Sequence, residues 1–239
     1  MTPDTYPTDL LQCQTMSWQV IGGVIEGLRS IEGASPDRLP IGRGGLWRIE
    51  MQEVFLETRE EWATWRAIRA RQRNGATAIV VPLERRPYFA QGVTAMGSAP
   101  HSDGSPFSDG SEYATATITA EVLSPAAHAA VALRVRVWNA EPLIGAEPFT
   151  IVHPLAGARL YEVIGLEAAA GPGGSTDYEL RISPPLRQAV SAGEAIDFNR
   201  PRCLMRLEDP NGMEVEEDIV SFPSVAFVEH LTSLRGEPA

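Results

Sequence analysis

Apolar and polar residues alternate along most of this chain, and that period of two predicts strands. Within residues 130–138 every second residue is apolar, Val131 among them, while two arginines occupy the opposite face. Residues 47–57 also alternate, but their parity changes near Glu53, which predicts a bulge or a strand end. Roughly nine or ten such segments, separated by turns rich in Gly and Pro, favour a mainly-β barrel or sandwich.

Residues 58–74 have a helical period instead. Thr58 followed three residues later by Glu61 forms a capping box, and arginines in the last turn suit the helix dipole. Asn74-Gly75 is predicted to end the helix, with Gly75 in the left-handed conformation. An apolar stripe predicts that one helix face packs on the sheet, rather than forming a sugar-binding platform: Trp62, Trp65 and Ile68.

A second, shorter helical turn is predicted over residues 184–193, between Pro184 and Gly193. Apart from these two segments the pattern shows no regular succession of strands and helices, which disfavours a doubly wound parallel sheet. The large apolar residues of these elements are expected to form the structural core: Trp47, Trp62, Trp65, Ile68 and Leu186.

Residues 101–111, HSDGSPFSDGS, contain two copies of Ser-Asp-Gly-Ser. The spacing differs from that of an EF-hand loop, and two Asp-Gly turns anchored by Phe107 explain the pattern. A cation or ligand shared by Asp103 and Asp109 is the alternative.

This stretch also suggests how the chain is divided. We expect a strand–helix–strand part over residues 1–96, a connector loop over residues 97–113, and a second β part over residues 114–239. The second part either forms its own domain or completes one barrel with the first.

The composition narrows the possible partners. The 239 residues carry a formal net charge of −11 and no basic run, which disfavours binding to nucleic acid or to an anionic membrane. Cys13 and Cys203 lack metal-ligand spacing and are expected to be free thiols. No signal peptide or membrane-length apolar run is visible, so we expect folding in the cytoplasm.

No motif for catalysis or metal binding accompanies the histidines, serines or cysteines, so we expect no enzyme activity, metal or cofactor. Two alternatives stay open. A β-rich hydrolase would use converging acids such as Asp103 and Glu112. A carbohydrate-binding β-module involved in host attachment would use exposed aromatic residues: Tyr88, Phe89, Phe107 and Tyr113.

Residues 46–83 combine a predicted strand, a helix with a central Trp, a Gly and a strand that ends in a proline. The turn PLIGAEPFTI lies downstream. A closing pattern follows, made of ten residues: Pro184, Pro185, Leu186, Arg187, Gly193, Phe198, Pro201, Met205, Arg206 and Leu207. These stretches resemble distal tail proteins, the tail-tip ring proteins of long-tailed bacteriophages and gene transfer agents, although Ala146-Glu147 follows Gly145 where Asp is frequent in that family.

The resemblance implies a virion structural protein at the tail tip, assembled in the host bacterial cytoplasm. Such proteins form rings, typically hexamers, that join the tail tube to the baseplate hub and fibres and line the DNA channel. The implied partners are other copies of the chain and the tail tube, tape measure, hub and fibre proteins. DNA would slide past an acidic wall without specific binding, and no membrane insertion is implied.

Ring subunits need surfaces that close on one another, so we expect interface residues in exposed apolar or protruding segments. The N-terminal arm, the connector loop and the segment SFPSVAFVEHL supply the candidates, with core completion as the alternative for the first and last. The candidate side chains are Asp103, Phe107, Asp109, Phe222 and Phe227.

Overall fold

The computed structural model describes residues 3–26, 38–40, 44–84, 88–93, 97–99, 113–115, 117–214 and 220–231. This part of the chain forms sixteen strands, one α-helix and one short 3-10 turn. The arrangement confirms the predicted fold class, a mainly-β protein with a barrel and a single α-helix.

The chain divides into two compact units that are interleaved along the sequence. The first unit comprises Met1–Glu84, His153–Leu160 and Arg202–Ala239, and the second comprises Arg85–Val152 and Tyr161–Pro201. This division differs from the predicted one, since the residues from 202 onward belong to the first unit. The difference arises because strand pairing joins the end of the chain to its beginning.

The first unit contains a six-stranded sheet with the order β1-β6-β15-β16-β5-β2, and a separate hairpin of β3 and β4. Its strands are β1 Asp4–Thr5, β2 Cys13–Ile21, β3 Val24–Glu26, β4 Arg38–Pro40, β5 Leu46–Val54, β6 Ile79–Pro82, β15 Arg202–Leu207 and β16 Val225–Glu229. The strand β16 lies between β15 and β5 and is antiparallel to both.

The N-terminal arm is part of this unit's fold. Its strand β1 runs parallel to β6, and the Tyr6 amide donates to the Val80 carbonyl at 2.8 Å. Tyr6 and Leu11 are buried. Tyr6 and Leu11 therefore complete the core and are not interface side chains, in agreement with the alternative expected for the arm.

The predicted change of parity in β5 is observed at Glu53. Trp47, Ile49 and Met51 are buried, and the next buried residue is Val54. Between them Glu53 adopts a left-handed φ of 54°. The irregularity lets β5 keep apolar side chains in the core on both sides of it.

The helix α1 spans Arg59–Gln72, and its capping box is present as predicted. The Thr58 hydroxyl accepts from the Glu61 amide at 3.3 Å, and the Glu61 carboxylate accepts from the Thr58 amide at 2.8 Å. Of the predicted stripe, Trp65 and Ile68 are buried and Trp62 is partly buried. The Trp65 indole donates to the Met213 carbonyl at 3.1 Å.

The helix ends earlier than its terminal Asn-Gly predicts. Arg73 already has a left-handed φ of 45°, and Asn74 and Gly75 follow with φ values of 55° and 81°. Space beside Gly75 is also tight, because a Cβ there would lie 3.1 Å from the Leu207 carbonyl oxygen.

The second unit contains a closed six-stranded barrel with the order β10-β13-β12-β11-β14-β9, and a separate hairpin of β7 and β8. Its elements are β7 Gly97–Ala99, β8 Tyr113–Thr115, β9 Thr119–Val122, β10 Ala132–Trp138, β11 Pro148–His153, β12 Gly157–Ala170, the 3-10 turn Pro172–Gly174, β13 Thr176–Ser183 and β14 Ala195–Asp197. The first-unit residues 153 and 157–160 are the ends of β11 and β12.

The barrel encloses an apolar core that includes Phe149, Tyr161, Phe198 and Leu186. Leu186 is buried as predicted. Val131 is exposed, contrary to its predicted place on the apolar face, because β10 begins only at Ala132.

The prediction of a helical turn over residues 184–193 is wrong. This segment is extended or irregular, and its backbone groups bond to residues outside it. The Leu186 amide donates to the Ala130 carbonyl, and the Val190 amide donates to the Ala126 carbonyl, both at 2.9 Å. Pairing with a neighbouring segment therefore replaces the local helical hydrogen bonds.

Candidate functional site

The predicted interface residues differ in how exposed they are in the structure. Phe222 is exposed, as an interface residue should be. Phe227 lies on β16 and is fully buried, with its ring edge against Tyr6 at a centroid distance of 5.8 Å. Phe227 is therefore a core residue and not an interface candidate. Asp103, Phe107 and Asp109 lie outside the described residues.

Phe222 forms an exposed aromatic pair with Phe55, a residue that the sequence pattern did not single out. The ring centroids are 5.6 Å apart with an interplanar angle of 54°. Phe55 is 39% exposed and Phe222 is 57% exposed. Two large apolar rings side by side on the surface present more apolar area than an isolated exposed side chain does.

The backbone holds this aromatic pair in place. Leu56 and Ser221 form an isolated antiparallel bridge in which each amide donates to the other's carbonyl at 3.0 Å. Leu56 is fully buried, and the Phe55 amide donates to the Gln12 carbonyl at 2.9 Å. Because both rings flank main-chain hydrogen bonds, a partner would meet a surface that is already ordered.

The structure gives little support to sugar binding by the aromatic residues around Tyr88. Tyr88 is exposed, but Phe89 is buried and packs edge-on against Tyr88 at a centroid distance of 5.3 Å. The side chains of Phe107 and Tyr113 lie outside the described part of the chain. Of the two aromatic side chains that the structure describes here, only Tyr88 is exposed, so these two do not form a platform.

No cluster of three or more His, Cys, Asp or Glu side chains suited to a metal ion occurs among the described residues. The acids Asp103 and Glu112, considered for a hydrolase, fall outside those residues. Cys13 and Cys203 do not form a disulfide in the structure, as predicted.

A cleft of about 790 Å³ opens at the C-terminal end of α1, within the first unit. Its walls come from the end of α1, the start of β1, the residues just before β6, one residue of β15 and the residue after β16. The lining residues are Pro3, Asp4, Ala70, Arg71, Gln72, Arg73, Thr77, Ala78, Leu204 and His230. Sequence reasoning did not find this cleft, because its walls come from four distant parts of the chain.

Charged groups surround the cleft. The Arg71 guanidinium pairs with the Asp4 carboxylate at 2.8 Å, and both side chains are more than half exposed. Burial lowers the pKa of His230, and the positive charges of Arg206 and Arg159 lower it further. The His230 imidazole is therefore neutral near pH 7 and can donate or accept a hydrogen bond.

No protein-family model and no curated protein matches this chain at a significant level. Among the described residues, no helix has the length and apolar character that a membrane-crossing helix requires. The class that the fold defines is a two-unit, mainly-β protein with a six-stranded sheet, a closed six-stranded barrel and one docked helix.

Proposed function

We infer that this protein is a structural subunit of a phage-like tail tip, which forms a ring that joins the tail tube to the hub and fibres. The observation that supports assembly into a ring is the exposed Phe55–Phe222 pair, an ordered apolar surface in the first unit. The resemblance in residues 46–83 and 142–207 supplies the identity of the assembly.

An aromatic pair of this kind suits an interface between subunits. Aromatic residues at the centre of an interface contribute a large share of the binding free energy, because their burial removes much apolar area from water. In a ring each subunit uses two different surfaces, so the pair would be covered by another part of the neighbouring copy.

The charge of the chain suits a channel wall. With a net charge of −11, a hexameric ring would surround its channel with an excess of acidic groups. Such a wall repels the phosphate backbone and lets DNA pass without specific binding. This acidity supports the proposed role and is common in soluble proteins of other functions, so the aromatic pair is the sharper test.

The test compares assembly of the purified full chain with that of a surface variant. Mass photometry and negative-stain electron microscopy of the natural chain are expected to show closed rings. The double variant Phe55→Ser/Phe222→Ser is expected to remain monomeric with an unchanged circular dichroism spectrum.

The matched control is Ile144→Ser, which removes one strongly exposed apolar side chain from the second unit. The control is expected to assemble normally. A natural chain that stays monomeric at high concentration and does not bind tail tubes would contradict the proposal. Rings that form equally well without the two phenylalanines would show that another surface drives assembly.

A further inference from the structure

The cleft at the end of α1 has an unsatisfied polar group in its wall. Gln72 is the last residue of the helix and is 2% exposed, yet its side-chain oxygen has no hydrogen-bond partner among the described residues. A buried acceptor without a partner destabilises a protein, because its hydrogen bonds to water are lost and not replaced. Such groups are rare unless another molecule satisfies them.

The Gln72 side-chain oxygen can serve a ligand as a hydrogen-bond acceptor. In the present orientation this oxygen lacks a partner, whereas the amide nitrogen is not among the unpaired buried atoms of the described residues. A donor group that enters the cleft can therefore bond to the oxygen without displacing a hydrogen bond of that atom.

The charge at the cleft favours an anionic group. Arg73 is exposed and has no ion-pair partner within the described ranges, while Arg71 shares the one lining carboxylate, Asp4. His230 is neutral near pH 7. Two guanidinium groups facing one carboxylate leave an excess of positive charge, in a chain whose net charge is −11. Guanidinium groups bind carboxylates with charge-assisted hydrogen bonds.

The backbone beside the cleft favours an extended peptide. In the described sheet β1 is the terminal strand, and Asp4 and Thr5 are both exposed. A terminal strand offers unpaired amide and carbonyl groups to which an extended chain can add. Pro3 and Asp4 line the cleft directly, so a peptide along β1 would place its side chains there.

We propose that this cleft binds a short, extended, acidic peptide segment of a neighbouring copy of the chain. The peptide backbone pairs with β1, a carboxylate binds Arg73 and Arg71, and a polar group bonds to Gln72. The neighbouring copy is the source because the chain is rich in acidic residues, with 31 Asp and Glu against 20 Lys and Arg. The identification of a neighbouring copy as the source of the peptide rests on the proposed ring. The chemistry of the cleft does not depend on it.

Fluorescence anisotropy with a labelled peptide tests the chemistry of the cleft. The probe is fluoresceinated Ala-Asp-Leu-Glu-Ala amide, and its matched control has Asn and Gln in place of the acids. The full-length protein with the assembly-blocking Phe55→Ser/Phe222→Ser change is used, so that ring formation does not occupy the cleft. The acidic probe is expected to bind, and the amide control at least about tenfold more weakly, since charged hydrogen bonds are lost.

Variants locate the binding to the cleft. Arg73→Asn removes the charge and keeps a residue that tolerates the left-handed backbone. This variant is expected to bind the probe about tenfold more weakly. Arg69→Gln is the control, because Arg69 is exposed on α1 but does not line the cleft. Gln72→Leu is expected to weaken binding of the probe by up to about tenfold, since it removes the acceptor that the polar group of the peptide bonds to.

The outcomes separate this inference from the proposed function. Equal binding to the Arg73→Asn and Arg69→Gln variants, or no binding of the acidic probe, overturns the inference even if the natural chain forms rings. Probe binding together with rings that fail in Arg73→Asn supports it. If the protein binds the probe but the natural chain never assembles, two conclusions follow. The peptide does not come from a neighbouring copy, and the ring proposal is wrong.

Discussion

The Arg159 guanidinium lies 3.5 Å from the Glu229 carboxylate, and both side chains are buried in the first unit. Arg159 also donates to the His230 carbonyl at 2.7 Å, and the Glu229 carboxylate accepts from the Trp47 amide at 3.3 Å. The Trp47 indole donates in turn to the Leu160 carbonyl at 2.7 Å. These contacts join residues 159–160 to β5 and β16.

Removing one partner of this ion pair should destabilise the protein strongly. Arg159→Met leaves the Glu229 carboxylate buried without its counter-ion, and we expect the free energy of unfolding to fall by about 3–5 kcal/mol. The double variant Arg159→Met/Glu229→Leu removes both charges and should recover much of that loss. Urea unfolding measures both changes. A single variant as stable as the natural chain would show that the ion pair does not stabilise the fold.

The stability of the protein should depend on the protonation of His230. Burial, followed by the charges of Arg206 and Arg159, holds its pKa below the ordinary value of 6.5. As the pH falls through 6.5, the unfolded chain therefore takes up the proton before the folded protein does. The contribution of the neutral imidazole is present above this range and is lost as the pH falls through the lowered pKa.

Replacing His230 should reduce this acid sensitivity. His230→Gln is expected to show a smaller fall in the urea midpoint between about pH 7.5 and about pH 5.5 than the natural chain. The control is His128→Gln, because His128 is exposed. If both variants show the natural pH profile, His230 does not govern this part of the pH dependence.

Glu147 should be important for the stability of the second unit. Its buried carboxylate accepts hydrogen bonds from the backbone amides of Ile144, Gly145 and Ala146, the latter two at 2.9 and 3.0 Å. Glu147→Ala is expected to lower the free energy of unfolding by about 2 kcal/mol, because three donors lose a charged acceptor. Glu147→Gln keeps one acceptor oxygen and should lose less, by urea unfolding. Equal stability of all three proteins would contradict this role.

Glu147 also shows where a sequence pattern stops being informative. The Gly and Pro residues between positions 142 and 148 predict a turn, but the pattern assigns no role to Glu147. In the structure the carboxylate closes the turn on itself. The sequence pattern does not specify this contact, because a Glu side chain has several rotatable bonds and can equally point away from its own backbone.

The amino-acid sequence by itself determined the elements that depend on near neighbours. The capping box of α1, the helical period of its apolar stripe and the change of parity at Glu53 follow from residues within a few positions of one another. Backbone geometry and periodicity act over this short range, so the sequence pattern predicts them well.

Only the tertiary structure decided which apolar residues are covered. Phe222 and Phe227 lie in one short segment. Phe227, on β16, is buried against Tyr6, while Phe222 is exposed beside Phe55. The cleft and the interleaved units likewise depend on pairings between residues far apart in the chain. Burial is a property of what packs against a side chain, and a local pattern does not specify the distant partner.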